Sequence, residues 1–530
     1  MPMMRDFVPE CIRPWIYVLT ACCFQFSGCY YLGALDEIRG TTGFMIEDIL
    51  MMLYAGLAGM AIWFPVLFRT KFRFTNRFLL CTSAIVVAVC NLLLLHTTFR
   101  PLMWVLCFLS GIAKIQGTFE CMSNIQLWIT PRRDFAVFFP VLHIILFTAI
   151  EGTGYLAAWF GYHFTWEMMH VFVVGTMSFV LLTQLLLCQP FCPMPKRIPL
   201  RDYDFTGGLM LAILMLMVSY FCIYGDYKMW LSNRNMRLLL GGILILSALW
   251  LHRMTHLSKP FIRLRILTFR NVVPIWIVII LCELLLGAEH TLEEILYSEV
   301  MGLEELTKEE HMLWALVGVY PALLLTLLWL KVLKWKVWKL LAIGFLCVTG
   351  YSLWFYFHLD MDVPYEQLRL GVALRGAAMA IFGVTLMWSL DESLDFEHFF
   401  MGLCIFNVFH MYLAGAAGYG IYTTGFMHYV NDNMSRYGQQ LTLSQLDMSQ
   451  FNFDYIGHGF LHRNMMAALK QIYGWLIWFG GAFTIAFLCL DIPAVRRNVR
   501  RIPSWPAVGA QTLLHIRPLY MKRWFIKRKS

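Results

Sequence analysis

Apolar residues run in continuous stretches of about twenty along most of the chain, the length that a helix needs to cross a bilayer. Fourteen such runs fall at roughly 13–34, 46–68, 77–98, 101–128, 135–160, 167–189, 204–224, 236–253, 270–291, 311–331, 336–358, 367–390, 399–422 and 470–491. They lack the alternation of apolar and polar residues that marks the strands of a transmembrane barrel. The pattern predicts an all-α polytopic membrane protein whose odd-numbered spans start on one side and whose even-numbered spans start on the other. Most connections are short. The exception is 423–469, expected as a long polar loop that carries Asn431, Asp432 and Asn433, a Gln-rich stretch, and helical spacing over 459–469.

Composition narrows the class. Hydrophobic types make up 59% of the 530 residues and charged types 14%, and the mean hydropathy is +0.63. A soluble domain carries roughly 25% charged residues, so a soluble enzyme, a disordered chain and a secreted disulfide scaffold are excluded. The net charge of +9 does not point to nucleic acid, because Lys and Arg gather at span ends rather than on one basic domain. The 15 cysteines fall mostly inside apolar runs, as at Cys22, Cys23 and Cys404, where they read as small hydrophobes; no metal site is expected. The N-terminus lacks the charged, apolar, small-residue order of a cleaved signal.

Charge also orients the spans. One set of connections holds Arg69, Lys71, Arg73 and Arg77, then Arg132 and Arg133, Lys196, Arg197 and Arg201, Lys259 to Arg270, and Lys331 to Lys339. The tail adds Arg496, Arg497, Arg500 and Arg501. The opposite set is acidic, with Glu293, Glu294, Glu299, Glu304, Glu305, Glu309 and Glu310 crowding the connection expected at 292–310. The positive-inside rule then puts both termini in the cytoplasm. Asp391, Glu392, Asp395 and Glu397 are an acidic exception on the inner side.

Spans 7 and 8 carry a family pattern. Asp204-Phe205-Thr206-Gly207 opens span 7, Gly225, Trp230 and Ser232 mark the following turn, and Pro260 to Leu264 precede span 9, with Phe269-Arg270-Asn271 after them. Upstream lie Ala34-Leu35, Tyr54 and Pro65, and then Gly152, Gly154, Gly161 and Trp166. This order resembles the fourteen-span drug:proton antiporters of the major facilitator superfamily, the EmrB/QacA type, over about residues 15–490. The resemblance implies a major facilitator fold: one six-helix bundle at 13–190, two inserted helices at 204–253, a second six-helix bundle at 270–491 with the external loop 423–469, and a basic cytoplasmic tail at 492–530. It implies a secondary transporter of a bacterial inner membrane, not an enzyme, that exports amphipathic organic compounds or drugs with the proton gradient and no cofactor. Its partners would be the small organic substrate, the lipid bilayer, and a periplasmic adaptor with an outer-membrane channel. The chain departs from the family between spans 2 and 3, where 64–77 lacks the usual Asp and glycines. Cys107 and Ser110-Gly111 stand where span 4 has its Arg and Gln-Gly pair, Ser27 stands near the span-1 Asp, and Asp36 replaces a Pro. Fold therefore carries over more securely than coupling residues.

An ionisable side chain inside a span is a functional candidate by default. The deep ones are Lys114 and Glu120 in span 4, Glu151 in span 5, Glu283 in span 9 and Arg375 in span 12, with His143 and His410 beside them. The resemblance makes spans 1, 4, 9 and 12 the cavity helices. Gln116, Glu120 and Asn124 are four apart and form one polar stripe; Lys114 and Thr118 form a neighbouring one. Together, Lys114, Gln116, Glu120, Asn124, Glu151, Glu283 and Arg375 are expected to line a proton-coupling or substrate cavity, with Arg375 pairing with Glu120 or Glu283 and with Glu120 the first choice for coupling. Phe119 and Trp388 are expected on an apolar wall. Rival readings are an importer or facilitator with the same fold, a membrane enzyme built on Asp391-Glu392 or Glu289-His290, and a sensor that does not transport.

Overall fold

The computed structural model describes residues 4–28, 30–131, 134–190, 203–269, 272–360, 363–440 and 453–489. The basic tail and residues 441–452 lie outside these. Twelve helices are long and apolar enough to cross a membrane. They are α2 (Ile46–Lys71), α3 (Asn76–Leu95), α4 (Arg100–Ile129), α5 (Phe135–His163), α6 (Met168–Leu187), α7 (Phe205–Ile223), α8 (Arg234–His256), α9 (Val272–Val300), α10 (Glu305–Leu333), α11 (Val337–His358), α12 (Tyr365–Ser393) and α14, whose apolar part is Gly459–Cys489. Two further helical segments lie where the sequence predicts the first and thirteenth spans, and neither is among these twelve. α1 (Arg13–Gln25) has 13 residues, about 20 Å at 1.5 Å each. It breaks at 26–28 and continues as the 3₁₀ turn Tyr30–Ala34 and the short helix Leu35–Thr42. α13 spans 396–440 and contains a π-helical turn at His410–Ala416.

Two connections are corrected. α9 does not end near 291; it runs to Val300, closing with a π-helical turn. Glu293 is fully buried in it. The run 292–310 reads as a loop because hydropathy penalises every carboxylate, yet Leu292, Leu296 and Val300 keep a four-residue apolar spacing on the buried side. Likewise 423–469 is largely helix, since α13 extends to Gln440 and α14 starts at Phe453. Phe426 and Val430 are buried on α13, Met466, Leu469 and Tyr473 on α14, and Gln471 donates to Asn433 at 3.3 Å. A polar composition there hides a helical hairpin.

The helices form two halves with matching packing. In α1–α6, α2 packs on α4, α3 on α4 and on α6, α1 on α4, and α5 on the 3₁₀ turn after α1. In α9–α14 the same relations recur as α10 on α12, α11 on α12 and α14, α9 on α12, and α13 on the outer part of α9. The halves meet through α5 against α10 and α12, and α2 against α13.

The α7–α8 pair is pinned to both halves: α7 packs on α2 and on α13. The Tyr224 hydroxyl at the end of α7 donates to Asp48 of α2, and Trp230 Nε1 donates to Thr424 at 3.0 Å on α13. The motif residues form its clasp. Asp204 caps α7, accepting from the Gly207 amide at 2.9 Å and from Arg253 Nη2 of α8 at 2.7 Å, while Gly208 gives way to the Phe261 ring. Burial pushes the Asp204 carboxyl up, but the bonds from Arg253 and Gly207 outweigh it and hold it below the ordinary aspartate value of 3.8. The stability it contributes is therefore present above that value and is lost as pH falls through the lower folded one. Asp204→Ala is expected to cost about 1–2 kcal/mol at pH 7. The difference from wild type, followed by thermal unfolding in detergent, is expected to shrink as pH drops below about 3.8.

Candidate functional site

Two faces are distinguished by their connections: a basic face, where α2 ends in Arg69 and Lys71 and α10 in Lys331, and an acidic face, where α9 and α10 are joined. Polar groups that are buried in a membrane protein must find partners, so each deep charge can be followed to its own.

Arg375 of α12 lies in the acidic-face half. Its Nη1 is 3.1 Å from Glu293 Oε2 on α9, and its Nη2 is 4.0 Å from Glu151 Oε1 on α5. The three side chains are at most 9% exposed. The Tyr351–Tyr473 hydroxyl pair, 3.2 Å apart, stands beside Glu293. Glu293 and Arg375 belong to one half, Glu151 to the other, so this cluster crosses the interface. Around it the halves touch through polar groups again. The Asp36 amide donates to Glu305 Oε1 at 2.5 Å, the Thr148 and Tyr320 hydroxyls are 3.0 Å apart, and the Glu309 carboxylate lies against Gly154. Lys308 is held within its own half by Glu294 at 3.0 Å.

Glu283 takes a different partner. Its Oε2 is 2.8 Å from His410 Nδ1, the residue that opens the π-helical turn of α13. Such turns are frequent at functional sites.

The Gln116–Glu120–Asn124 stripe exists as spaced, but it faces α2. Trp63 Nε1 and the Thr70 hydroxyl donate to Gln116 Oε1 at 2.8 and 2.9 Å, Lys71 Nζ is 3.3 Å from Glu120 Oε2, and Asn124 donates to the Glu120 carbonyl at 2.8 Å. Arg375 therefore pairs with Glu293 and Glu151 rather than with Glu120 or Glu283. The seven expected residues are all buried, yet they divide among an interface cluster, a Glu283–His410 pair, an α2–α4 seam, and Lys114. Lys114 lies mid-helix against the break in α1. Sequence reasoning missed Glu293, assigned to a loop; its signal was the apolar spacing that continues past it.

Toward the basic face the halves meet through aromatic rings. Phe400 of α13 contacts Phe119 of α4 at 5.4 Å and Phe68 of α2 at 6.0 Å, Phe399 contacts Phe135 at 6.1 Å, and Lys331 pairs with Asp134. Phe119 thus packs in this closure. Glu289 and His290 lie where the side chains are outside the description.

No protein-family model matches the chain, and no curated protein matches its sequence. Solved structures match its fold. The peptide transporter POT in complex with sulfate superposes with a TM-score of 0.56 at 12% identity, covering 91% of this chain and 96% of that one. The human organic anion transporter MFSD10 (TETRAN) gives 0.53 at 11%, covering 91% and 99%. The nucleoside transporter NupG gives 0.50 at 11%, covering 90% and 98%. With two matching helical halves, twelve long apolar helices and these structural relatives, the chain is a multi-pass membrane protein with the major facilitator fold.

Proposed function

We propose that this protein is a proton-linked secondary transporter of an organic solute, working by alternating access of its two halves, with the basic face and both termini in the cytoplasm. The observation that carries the reading is the Glu151–Arg375–Glu293 cluster, buried and shared between halves. Two carboxylates face one guanidinium, so one added proton makes the trio neutral. Rocking of the halves that opens the acidic face draws Glu151 away from Arg375. A buried carboxylate that loses its cation then takes water or a proton in its place. Closing that face requires the cation again. This ties protonation to the state of the bundle. Peptide, nucleoside and organic anion transporters share the fold, which supports a small organic cargo. Exchange of outgoing amphipathic compounds for incoming protons is the direction that the antiporter resemblance favours.

This reading moves the coupling role from Glu120, whose partner Lys71 is in the same half, to the cluster that spans both. Glu151→Gln keeps size and deletes titration. In proteoliposomes given a panel of amphipathic compounds, it is expected to keep exchange of solute for solute and to lose movement driven by an imposed pH gradient. Glu120→Gln is expected to keep both. Undiminished pH-driven transport by Glu151→Gln would leave a facilitator with a static ionic lock as the better account.

A further inference from the structure

Lys114 is 7% exposed in the middle of α4, and it has neither an ion pair nor a hydrogen bond among the described residues. Every other deep charge considered above has a partner. Its ammonium reaches the break in α1, where Gly28 has no side chain to exclude it: a Cβ there would stand 3.0 Å from Nζ. Ser110, one turn earlier on the same face, has an equally uncommitted hydroxyl. Both line a cavity of about 40 Å³ between α1, α2, α3 and α4, whose other walls include Ser27, Gly28, Tyr31 and Asn91 together with apolar side chains of α2. Asn91 is spent on His170 and on the Val87 carbonyl, and Ser27 donates to Phe24. Among the described residues, no carboxylate lines the cavity. The Tyr31 hydroxyl is set against the Cys107 thiol at 3.6 Å. What remains is one positive charge and one hydroxyl, four residues apart, facing a small space with mostly apolar walls beside the break in α1.

We infer that this cavity binds the anionic head group of an organic acid, with Lys114 as counter-ion and Ser110 as second donor. This rests on the transporter reading only for the head group's being part of the cargo. A site of about 40 Å³ holds a few water-sized groups, so it seats a carboxylate while the apolar body lies outside it. Excess buried positive charge selects anions, since a cation brought there meets an unshielded ammonium. A free inorganic anion has the same chemistry, and the test separates the two.

The test uses the purified full chain in detergent, with thermal unfolding followed by tryptophan fluorescence at matched ionic strength. The probes are benzoate and naphthoate, with benzamide and naphthamide as neutral isosteres and chloride as the inorganic arm. Either carboxylate is expected to raise the unfolding temperature saturably, and the amides are not. Lys114→Met is expected to unfold at a higher temperature than wild type without ligand, because an unpaired buried charge is gone. Its carboxylate affinity is expected to fall about ten- to a hundredfold, the loss of a hydrogen bond to a charged group. Lys114→Arg is expected to retain binding. Gly28→Asp, which supplies its own carboxylate at the ammonium, is expected to fold and to bind no probe. Equal shifts by acids and amides, a carboxylate shift that survives Lys114→Met, or a lower unfolding temperature for Lys114→Met overturns the site. A chloride shift equal to that of the acids overturns the organic head group. Flux in proteoliposomes distinguishes the two proposals. Binding without flux under any gradient defeats the transporter reading and keeps the site. Flux of the acids indifferent to Lys114→Met defeats the site and keeps the transporter.

Discussion

Arg375→Ala is expected to cost about 3–5 kcal/mol, because it strands a buried carboxylate rather than merely deleting a bond. Glu293 is 0% exposed and 3.1 Å from the guanidinium, so without Arg375 its charge has no compensation at hand. Loss of folded, monodisperse protein and a lower unfolding temperature would show this. The double change Arg375→Ala with Glu293→Gln deletes the closer pair and leaves only Glu151, the more distant carboxylate, so it is expected to recover a large part of the stability that Arg375→Ala loses. Its recovery relative to the single changes gives the coupling between the two residues. Arg375→Lys keeps the charge and loses the fork, so it serves one carboxylate at a time. It is expected to fold and to transport poorly. Additive single and double effects would show that the pair is not coupled.

How far this cluster could be read in the sequence follows from what each residue depends on. Arg375 and Glu151 stand out within apolar runs, since a charge inside twenty apolar residues needs a reason. Their meeting does not, because it depends on how α5 of one half docks on α12 of the other. Glu293 was hidden by its neighbours: Glu294 and Glu299 share its segment, and hydropathy cannot tell the inward carboxylate from the outward ones. The stripe Gln116–Glu120–Asn124 follows from helical spacing alone, but its direction is set by Trp63, Thr70 and Lys71 on α2. Spacing gives a shared face and leaves open what the face meets. The span-7 and span-8 motif residues were legible for a related reason. Asp204 with Arg253 and Gly208 with Phe261 join α7 to α8 and to the segment that follows it, so these partners lie within one helical pair of the chain. Those residues secure the fold, while the charges that distinguish this protein lie elsewhere.

The second large effect is expected at glycines that the charges do not touch. α10 and α12 cross so closely that a Cβ on Gly318 would overlap the Ala373 carbonyl, and one on Gly376 would overlap the Ala315 carbonyl. The first half repeats the arrangement, with Gly59 against the Phe108 carbonyl and Gly111 against that of Gly56. Small residues let helix backbones approach where lipid provides no hydrophobic drive for association. A backbone carbonyl cannot rotate away as a side chain can, so one methyl must push the helices apart along their contact. Gly318→Ala is expected to cost at least the ~1–3 kcal/mol of an overpacked core, despite a gain of roughly 1 kcal/mol in helix propensity. Gly350→Ala on α11 is the control. Its Cβ would meet only the end of Leu374 at 3.4 Å, so the propensity gain is expected to dominate and the protein to hold or gain stability. Opposite signs for one substitution at two helical glycines, read by thermal unfolding, test the packing directly. They also bear on how the halves move. If α2 with α4 and α10 with α12 are each welded by such crossings, alternation leaves those pairs intact. The contacts that change are then the ones between halves: Glu151 with Arg375 toward the acidic face and Phe119 with Phe400 toward the basic face. A Gly318→Ala protein that folds and transports normally would remove that rigid-pair picture and the distinction between fixed and moving contacts built on it.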